Sequence, residues 1–360
     1  MKVLHVAETI KGGVGTVLNS LLEYQNDLGF KTAVIVPLQH SQELIKPNNT
    51  RGLYFNRTGR NIKSFYSLFR IYHQSLKDFK PDVIHLHSTF AGVICRFLLK
   101  TLYRYNVKVI YCPHAFSFIM KGGRAKKFLF AWLEKLLSFN TNKIICVSKY
   151  EKEIALAHGF KFNKLTVIYN GVNDHKLKRE CKSITPDDYE ILFVGRLDFQ
   201  KGFDSIISAL KPLPALPYNI NITVIGDSVN DKKNLEHIAH TNVSINYKGW
   251  IARHELGSYY CSSDFVVIPS RWEGFAMVPL EAMSFGVPLI LSNIPPFREL
   301  VDEAANGIIF DLDNLSELSE IFMSLDKIDR DRLSVNGSNA LRQKFTSTVM
   351  NENVVKLYNE

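Results

Sequence analysis

The sequence predicts an α/β protein with two doubly wound, Rossmann-like domains, each built on a parallel sheet. Apolar runs alternate with longer amphipathic segments along the whole chain, as expected of parallel strands that helices cover on both faces. At 360 residues the chain is long for one compact domain and sufficient for two. A glycine cluster, KGGVGT at 11–16, follows the first apolar run, at the strand end where open α/β sheets bind ligands.

The first half contains six predicted strands, and we assign residues 1–172 to an N-terminal domain. The strands read VLHVAE, TAVIVP, DVIHLH, VKVIYC, KIICVS and LTVIYN. Amphipathic segments such as 61–79 and 124–139 lie between most of them and have the periodicity of helices.

The second half repeats this scheme, and we assign residues 188–344 to a C-terminal domain. Its strands read YEILFVG, NITVIGD, VSINYKG, DFVVIPS, VPLILS and GIIF. The polar stretch 173–188 has the composition of a linker, and the last segment, 345–360, is predicted to be a helix that packs back on the N-terminal domain. With two such sheets facing each other, we expect the ligand site in the cleft between them.

Composition and cysteine usage are those of an ordinary globular protein. Apolar residues make up 46% of the chain, and no apolar run approaches the roughly 18 residues that a membrane helix needs. The first segment carries Glu8 and resembles a strand rather than a signal peptide. The five cysteines are scattered without a C-x-x-C pair, which favours a reducing compartment and argues against a disulfide or metal framework. We therefore expect a cytoplasmic protein.

The net charge of +9 conceals an asymmetry between the two halves. Residues 1–170 hold 25 Lys and Arg against 9 Asp and Glu, a net charge of +16, whereas residues 171–360 hold 19 against 26, a net charge of −7. A basic half joined to an acidic half indicates that the basic half faces a polyanion or an anionic membrane. No helix-turn-helix, RNA-binding or zinc-finger pattern supports nucleic acid as the partner.

One basic segment, 121–143, has an apolar helical face. Its apolar positions and its neighbouring cations are Leu129, Trp132, Leu133, Leu136, Leu137, Arg124, Lys126 and Lys127. Such a helix can lie on an anionic membrane surface. It can equally be a crossover helix that packs its apolar face on the sheet, and the sequence leaves both interpretations open.

The glycine cluster fits neither of two common nucleotide-binding motifs. A P-loop needs a lysine after its last glycine, but Gly15 is followed by Thr16. The dinucleotide fingerprint G-x-G-x-x-G needs a third glycine and an acidic residue at the tip of the second strand. The string from Gly13 has no third glycine, and the second strand ends in VIVPLQ.

Three strings carry a family resemblance that covers essentially the whole chain. They are PSRWEGFAMVPLEAMSFGVPLILS at 269–292, VGRLDFQKG at 194–202 and IYNGV at 168–172. Together they resemble the retaining glycosyltransferases of family four, which have the GT-B fold. The family's Glu-x7-Glu motif corresponds to Glu273 and Glu281.

The resemblance implies a donor site in the C-terminal domain. Arg196 and Lys201 would hold the donor diphosphate and stabilise the charge that grows on the leaving phosphate. Glu273 would bind sugar hydroxyls and Glu281 the nucleotide ribose, and their spacing of eight residues predicts that both lie on one helix face. Further donor contacts are implied for the backbone at Gly274, Phe275 and Ala276, where a helix begins, and for the base near Ile251; Ala276 stands where the family usually has glycine.

The resemblance also implies donor contacts in the N-terminal domain. His114 in CPHAF matches the family's histidine that contacts the donor sugar, while Ala115 departs from the aspartate or glycine of many relatives. Gly12 and Gly13 would bring backbone N–H groups to the sugar and phosphate. His85 and His87 are interpreted as structural, with at most one of them facing the cleft.

No metal or cofactor site is predicted. DLD at 311–313 precedes a helix without other clustered ligands and is interpreted as a cap or turn. Arg196 and Lys201 would take the part that Mg²⁺ plays in other transferases. The predicted catalytic residues are therefore His114, Glu273, Arg196 and Lys201.

The function implied by the resemblance is retaining transfer of a hexose from a nucleoside diphosphate, UDP being favoured over GDP, to a hydroxyl of a lipid-linked or saccharide acceptor. No carboxylate is evident as a covalent nucleophile. The expected context is bacterial surface polysaccharide synthesis, such as O-antigen or lipopolysaccharide, by a peripheral protein on the inner face of the cell membrane, with no nucleic acid partner. Two alternatives remain: a sugar-nucleotide epimerase of the same fold, and a deviant P-loop ATPase.

Overall fold

The computed structural model describes residues 1–102, 107–120, 122–175, 188–227 and 240–360. They form two compact units, Met1–Gly171 with Ser347–Glu360, and Val172–Thr346. Most of the predicted linker, residues 176–187, lies outside the described residues, as does Lys121 at the start of the basic segment.

The N-terminal unit contains a parallel sheet. Its strands are β1 (Lys2–Ala7), β2 (Lys31–Pro37), β3 (Thr50–Phe55), β4 (Val83–His87), β5 (Lys108–Cys112), β6 (Lys143–Cys146) and β7 (Leu165–Val167). They pair side by side in the order β3-β2-β1-β4-β5-β6-β7. Strand β3 was not predicted from the sequence, because this edge strand reads TRGLYF and has no continuous apolar run.

Helices connect these strands. They are α1 (Gly13–Asp27), α2 (Ile62–Phe79), α3 (Thr89–Leu102), α4 (Arg124–Ser138) and α5 (Lys149–Ala157). Side chains that accept a hydrogen bond from the backbone begin two of them: Asn61 caps α2 through the Ser64 N–H, and Ser148 caps α5 through the Glu151 N–H. Strands β1, β2, β4, β5 and β6 are buried along almost their whole length, as the inner strands of a parallel sheet are.

The second unit contains a six-stranded parallel sheet. Its strands are β8 (Asp188–Val194), β9 (Asn219–Ile225), β10 (Val243–Gly249), β11 (Phe265–Ile268), β12 (Leu289–Ser292) and β13 (Gly307–Phe310). They pair in the order β10-β9-β8-β11-β12-β13. The described helices of this unit are α6 (Phe203–Leu210), α7 (Leu256–Cys261), α8 (Met277–Ser284), α9 (Pro295–Ala304), α10 (Ser316–Phe322) and α11 (Arg330–Ala340). The predicted fold class, two doubly wound parallel-sheet units, is confirmed.

The last helix, α12 (Ser347–Asn359), belongs to the N-terminal unit. It packs against α1 and β5. The Asn351 amide donates to the backbone and hydroxyl oxygens of Ser20 on α1, and the Tyr358 hydroxyl lies among buried side chains of β4 and α1. The last residues of the chain therefore complete the core of its first unit.

A separate feature is the hydropathy of the helices. Within the described ranges, none of them is both long enough and apolar enough to cross a membrane.

Candidate functional site

Both sheets reverse their strand order near the middle, and several of the predicted site residues follow the strands at these reversals. In the N-terminal unit the reversal lies between β1 and β4, and in the second unit it lies between β8 and β11. Chain connections leave in opposite directions there, so a crevice opens beyond the carboxyl ends of the strands. Gly12 follows β1, Arg196 and Lys201 follow β8, and Glu273 follows β11.

The glycines after β1 have different structural roles. Gly12 has φ +65°, which L side chains rarely adopt, and a Cβ built there meets no atom within 4 Å. Gly13 is the first residue of α1. A Cβ at Gly15 would lie 1.9 Å from the carbonyl oxygen of Ile10, so Gly15 is required for packing. Gly12 is therefore the glycine of the cluster that leaves open space beside the backbone.

Strained backbone follows β4 and β5 in the same unit. Ser88, His114 and Ala115 have φ of 72°, 53° and 97°, values that cost a non-glycine residue free energy. The buried Glu151 carboxylate holds this region in place, because it accepts hydrogen bonds from the Phe116 N–H at 2.9 Å and the Val147 N–H at 2.7 Å. The conformation at Ala115 is one that glycine adopts freely.

His114 is joined to a set of buried histidines. Its Nε2 lies 3.1 Å from Nδ1 of His87, and Nε2 of His87 lies 3.2 Å from Nδ1 of His5. Nε2 of His5 lies 2.9 Å from Oε1 of Gln25. The Gln25 Nε2 donates to the Tyr358 hydroxyl at 3.2 Å. These hydrogen bonds connect β1, β4 and the loop after β5 with α1 and α12.

The sequence-based expectation that His85 and His87 point to opposite sides of their strand was wrong, whereas nothing contradicts their interpretation as structural residues. Side chains two residues apart on a strand point to the same face, so both rings lie on one side of β4, with centroids 4.2 Å apart. His5 lies opposite His85 on β1 and extends the group. His5 was not predicted to belong to this group, although the alternation in VLHV and VIHLH on two strands places a histidine on each of them.

Burial keeps these histidines neutral. It lowers the pKa of His5 and of His114 to about 4, with the Gln25 hydrogen bond partly opposing the shift at His5. The pKa values of His85 and His87 fall well below the usual histidine range, because burial and the neighbouring histidines both disfavour a charged ring. At neutral pH each ring therefore carries one N–H and one lone pair.

A small cavity of about 20 Å³ lies beside the histidines. It is lined by side chains of β4, β5, α1 and α12 and of the segment after β7, among them His85, His87, His114, Asn170 and Met350. Its volume is enough for about one water molecule.

The histidines also have spacing that could suit a metal ion. In the part of the chain that the structure describes, one ring nitrogen each from His5, His85 and His87 lies within 4.8 Å of the others. Neutral imidazole is a good ligand for Zn²⁺. However, the facing nitrogens of His5 and His87 already share a hydrogen bond, and the remaining nitrogen of His5 bonds to Gln25.

In the second unit, Lys201 and Glu273 form an ion pair at the strand reversal. The Lys201 Nζ lies 2.6 Å from the Glu273 Oε1, and both side chains are largely buried. The Ser270 hydroxyl donates to the same carboxylate oxygen at 2.9 Å. A Cβ at Gly202 would lie 2.1 Å from the Pro269 carbonyl oxygen, so this glycine lets the loop after β8 approach the end of β11.

Arg196 lies in the same loop as Lys201 but makes different contacts. Its guanidinium bonds to Asp198 at 3.1 Å and to the Gln200 side chain at 3.0 Å, and its side chain is 50% exposed. The Gln200 amide in turn donates to the Trp272 carbonyl oxygen. The loop thus links the ends of β8 and β11. It leaves Arg196 half-exposed and Lys201 largely buried against the Glu273 carboxylate.

Glu281 does not share a helix face with Glu273, contrary to the sequence prediction. Helix α8 begins only at Met277, so Glu273 lies in the preceding loop. Glu281 is inside α8, where its carboxylate accepts hydrogen bonds from Arg253 at 3.2 Å and from the Tyr260 hydroxyl at 3.0 Å. Arg253 and Tyr260 are contacts that the motif alone could not reveal.

The remaining predicted donor residues are placed as follows. Gly274 and Phe275 are buried in the loop before α8, and Ala276 is the residue that precedes the helix. The Phe275 ring packs on Phe345 at 5.7 Å. Ile251 follows β10 and is partly exposed. DLD at 311–313 forms a turn in which the Asp313 N–H donates to the Asp311 side chain.

Two family profiles match consecutive parts of the chain. Residues 11–176 match the family described as Glycosyltransferase Family 4, and residues 174–340 match Glycosyl transferases group 1. An uncharacterized 41.2 kDa protein from the cps region of Klebsiella pneumoniae is 40% identical over 90% of both chains. An uncharacterized glycosyltransferase of Methanocaldococcus jannaschii is 31% identical over 84% of this chain and 82% of its own.

Other relatives are more distant. A UDP-Gal:α-D-GlcNAc-diphosphoundecaprenol α-1,3-galactosyltransferase of Escherichia coli is 28% identical over 71% of this chain and 68% of its own. Two solved structures share the fold: a sucrose-phosphate synthase of Thermosynechococcus elongatus, with a TM-score of 0.81, 16% identity and coverage of 100% and 98%, and Anabaena HepE in complex with UDP-glucose, with a TM-score of 0.76, 18% identity and coverage of 100% and 99%.

Proposed function

Because the chain belongs to glycosyltransferase family 4, we propose that it transfers a hexose from a nucleoside diphosphate to a hydroxyl of a lipid-linked or saccharide acceptor. The observation that carries the proposal is the Lys201–Glu273 pair at the strand reversal of the second unit. A cation and a carboxylate held together there offer complementary groups to a phosphate and to sugar hydroxyls. UDP is the favoured nucleotide, and the HepE complex with UDP-glucose supports this choice.

Donor binding uses the cations of the loop after β8. Lys201 and the half-exposed Arg196 bind the diphosphate, so Lys201 exchanges part of its contact with Glu273 for phosphate oxygens. Glu273 then accepts hydrogen bonds from sugar hydroxyls. Glu281, oriented by Arg253 and Tyr260, accepts from the ribose. Further contacts come from the backbone at Gly12, Gly13, Ile251, Gly274, Phe275 and Ala276, and from His114 to the sugar.

The transfer proceeds with retention at the anomeric carbon. The bond from that carbon to the diphosphate oxygen breaks, and the acceptor oxygen bonds to the same face. The acceptor proton passes to the leaving phosphate. Arg196 and Lys201 offset the negative charge that develops on this phosphate, which is usually a large contribution to rate enhancement. These two cations take the role that a metal ion has in other transferases, so the reaction requires none.

The acceptor is a lipid-linked saccharide of a bacterial surface polysaccharide. Two findings support this proposal: the relative in a cps region, and the Escherichia coli relative whose acceptor is a diphosphoundecaprenol-linked sugar. The excess positive charge of residues 1–170 suits an acceptor that carries a lipid diphosphate at an anionic surface.

Helix α4 supplies the membrane contact. It packs on the N-terminal unit through Ala131, Glu134, Leu137 and Ser138, as a crossover helix does. It also has a second apolar face, since Phe128, Leu129, Trp132 and Leu136 are 42–72% exposed and fall within an arc of about 100° around the helix. Basic residues flank this face. This exposed apolar face of α4 binds an anionic lipid surface, at the inner face of the cell membrane.

Nucleotide binding tests the donor site. Thermal unfolding is measured with UDP, GDP, ATP or NAD in the presence of a chelator, for the native chain and for Arg196→Ala and Glu281→Ala. A ligand at about 100 times its Kd adds roughly 2.7 kcal/mol to the free energy of unfolding. We expect stabilisation by UDP that both substitutions weaken. Arg332→Ala, at a 72% exposed arginine on α11, is the control and should leave the stabilisation unchanged.

Two results would contradict the proposal. Stabilisation by ATP alone, unaffected by either substitution, would exclude the donor site. Interconversion of a sugar nucleotide without any acceptor would identify an epimerase. Incubation with a sugar nucleotide and a polyprenyl diphosphate sugar, followed by determination of the anomeric configuration of the product, tests the transfer and its stereochemistry.

A further inference from the structure

An unbroken line of hydrogen bonds leads from the core of the N-terminal unit to the half-buried His114. It runs from Gln25 on α1 to His5 on β1, then to His87 on β4 and finally to His114 after β5, with donor–acceptor distances of 2.9, 3.2 and 3.1 Å. Gln25, His5 and His87 are fully buried. We call this set of four residues the histidine relay.

The relay has a single polarity. Each ring is neutral and therefore donates through one nitrogen and accepts through the other. Gln25 presents its carbonyl oxygen to His5, so the His5 Nε2 must carry the hydrogen and its Nδ1 must be a lone pair. The His87 Nε2–H donates to that lone pair, and the His114 Nε2–H donates to the lone pair on the His87 Nδ1. All three rings are thus the same tautomer.

Tyr358 contacts the other end of the Gln25 amide. The Gln25 Nε2 donates to the Tyr358 hydroxyl at 3.2 Å, and this hydroxyl lies 2.7 Å from Nδ1 of His85. Rotating the amide by half a turn would exchange its donor and acceptor ends and reverse every bond of the relay together. The tautomer of His114 therefore follows the orientation of the Gln25 amide.

At the His114 end of the relay, one ring nitrogen is left to bind a ligand. In the part of the chain that the structure describes, the hydrogen bonds of the His114 ring engage its Nε2 only. With a hydrogen on Nε2, the His114 Nδ1 is a bare lone pair. A ligand group that binds this nitrogen must donate a hydrogen bond to it, as a hydroxyl does.

We propose that Gln25 acts through His5 and His87 to hold His114 as the Nε2–H tautomer, so that His114 Nδ1 accepts a hydrogen bond from a hydroxyl of the donor sugar. Gln25, His5 and His87 are positioning residues, since they act through His114. The part that concerns the sugar rests on the proposed function, whereas the tautomer is a property of the free protein. The relay selects hydroxyl groups that donate and disfavours a group that only accepts.

Nitrogen NMR on protein with ¹⁵N-labelled histidine tests the tautomer without any ligand. Two-bond ¹H–¹⁵N correlations distinguish a protonated from an unprotonated ring nitrogen, and His114→Gln identifies the His114 signals. At neutral pH we expect His5, His87 and His114 to be protonated at Nε2 alone. In Gln25→Met the acceptor is lost, so protonated Nδ1 should become detectable at His114.

Two variants separate the relay from general damage to the fold. Tyr358→Phe removes the hydroxyl but leaves the Gln25 carbonyl on His5, so the His114 tautomer should persist while the His85 signals change. Gln25→Glu keeps an acceptor toward His5 and should restore the native His114 pattern. The second measurement is ligand affinity: Gln25→Met should weaken binding of UDP-glucose about tenfold, the value of one hydrogen bond, and leave that of UDP unchanged.

Three results would overturn the inference. One is a native His114 protonated at Nδ1, which would mean that each hydrogen bond of the relay has the opposite donor and acceptor. Another is a His114 tautomer that Gln25→Met leaves unaltered. The third is one equivalent of zinc retained by the purified protein with His5, His85 and His87 as ligands, since a metal needs lone pairs where the relay needs hydrogens. A correct tautomer pattern in a protein that binds no sugar nucleotide would instead refute the proposed function alone.

Discussion

His114, half-buried after β5, is where the backbone and the side-chain hydrogen bonds of the N-terminal unit meet. The family resemblance identified this residue, and the structure adds its strained φ and its bond to His87. Neither property is visible in the string CPHAF. A histidine motif predicts a contact, but the tautomer depends on Gln25, which is distant in sequence from the motif.

The buried histidines make the N-terminal unit sensitive to acid. Their pKa values are lowered from 6.5 in the folded state, to about 4 for His5 and His114 and well below 6.5 for His85 and His87. Between pH 6.5 and about 4 the unfolded chain therefore binds more protons, and the free energy of unfolding falls as the pH falls. Each such proton contributes about 1.4 kcal/mol per pH unit.

Glu151 opposes this trend. Burial raises the pKa of its carboxyl from 4.5 to about 7, although hydrogen bonds from backbone N–H groups partly offset the effect. The folded state therefore binds the additional proton between pH 7 and 4.5, and this group stabilises the fold as the pH falls through that range. One carboxyl offsets only part of the effect of four histidines.

Denaturation at a series of pH values between 7.5 and 4.5 measures the balance. In a Trp250→Phe, Trp272→Phe background, Trp132 fluorescence follows the N-terminal unit. We expect stability to fall toward acid pH, and His114→Gln to reduce the slope by up to about 1.4 kcal/mol per pH unit. His254→Gln, at an exposed histidine, is the control. An unchanged slope in His114→Gln would show that His114 has the same pKa in the folded and the unfolded states.

At the scale of elements, α4 is tied to the N-terminal unit by a buried ion pair. Arg96 on α3 and Glu134 on α4 are fully buried and lie 2.5 Å apart. The Tyr111 hydroxyl donates to the other Glu134 oxygen at 2.8 Å, and the Arg96 guanidinium stacks 3.8 Å from the Tyr111 ring centroid. One charged cluster thus joins α3, α4 and β5.

Removing one partner of this pair should cost more than removing both. Glu134→Leu leaves Arg96 charged without its partner in the core, and we expect a loss of about 3–5 kcal/mol in the free energy of unfolding. The double variant Arg96→Met, Glu134→Leu leaves no unpaired charge and should lose less. A double-mutant cycle from urea denaturation gives the coupling. Equal losses in the free energy of unfolding of the single and double variants would contradict this expectation. They would show that water solvates the Arg96 charge when Glu134 is absent.

The exposed face of α4 makes a second prediction at this scale. Leu129→Ser with Trp132→Ser should weaken sedimentation with vesicles that contain phosphatidylglycerol, because both side chains lose apolar contact with lipid. High salt should also weaken it, since basic residues near the surface contribute about 1 kcal/mol each. Val335→Ser and Met323→Ser, exposed apolar positions of the second unit, are the controls. Equal binding to neutral and anionic vesicles would exclude the electrostatic part.

Periodicity predicted most elements because their strands and helices are buried in regular patterns. All six predicted strands of the second unit are present, and α2 and α4 lie within one residue of the predicted bounds. Strand β3 was not predicted because it is an edge strand and most of its residues are not buried. The helix face proposed for Glu273 and Glu281 was wrong because spacing alone does not show where a helix begins.

At the scale of the whole molecule, charge and fold were predicted from different properties of the chain. The fold followed from the order of apolar runs, whereas the basic first half and acidic second half followed from composition and concern partners only. Contacts such as Glu281 with Tyr260, or Gln25 with Tyr358, join residues that no motif connects. They arise from tertiary packing and become visible only in the structure.

The return of α12 to the N-terminal unit has a consequence for biosynthesis. Tyr358, whose hydroxyl accepts a hydrogen bond from the Gln25 amide, lies 333 positions after it in the chain. A ribosome that has completed residues 1–171 has therefore not yet made the helix that finishes this unit. The second unit can fold as it emerges, but the first must wait for Ser347–Glu360. Its histidines acquire their final hydrogen bonds only after Tyr358 has been synthesised.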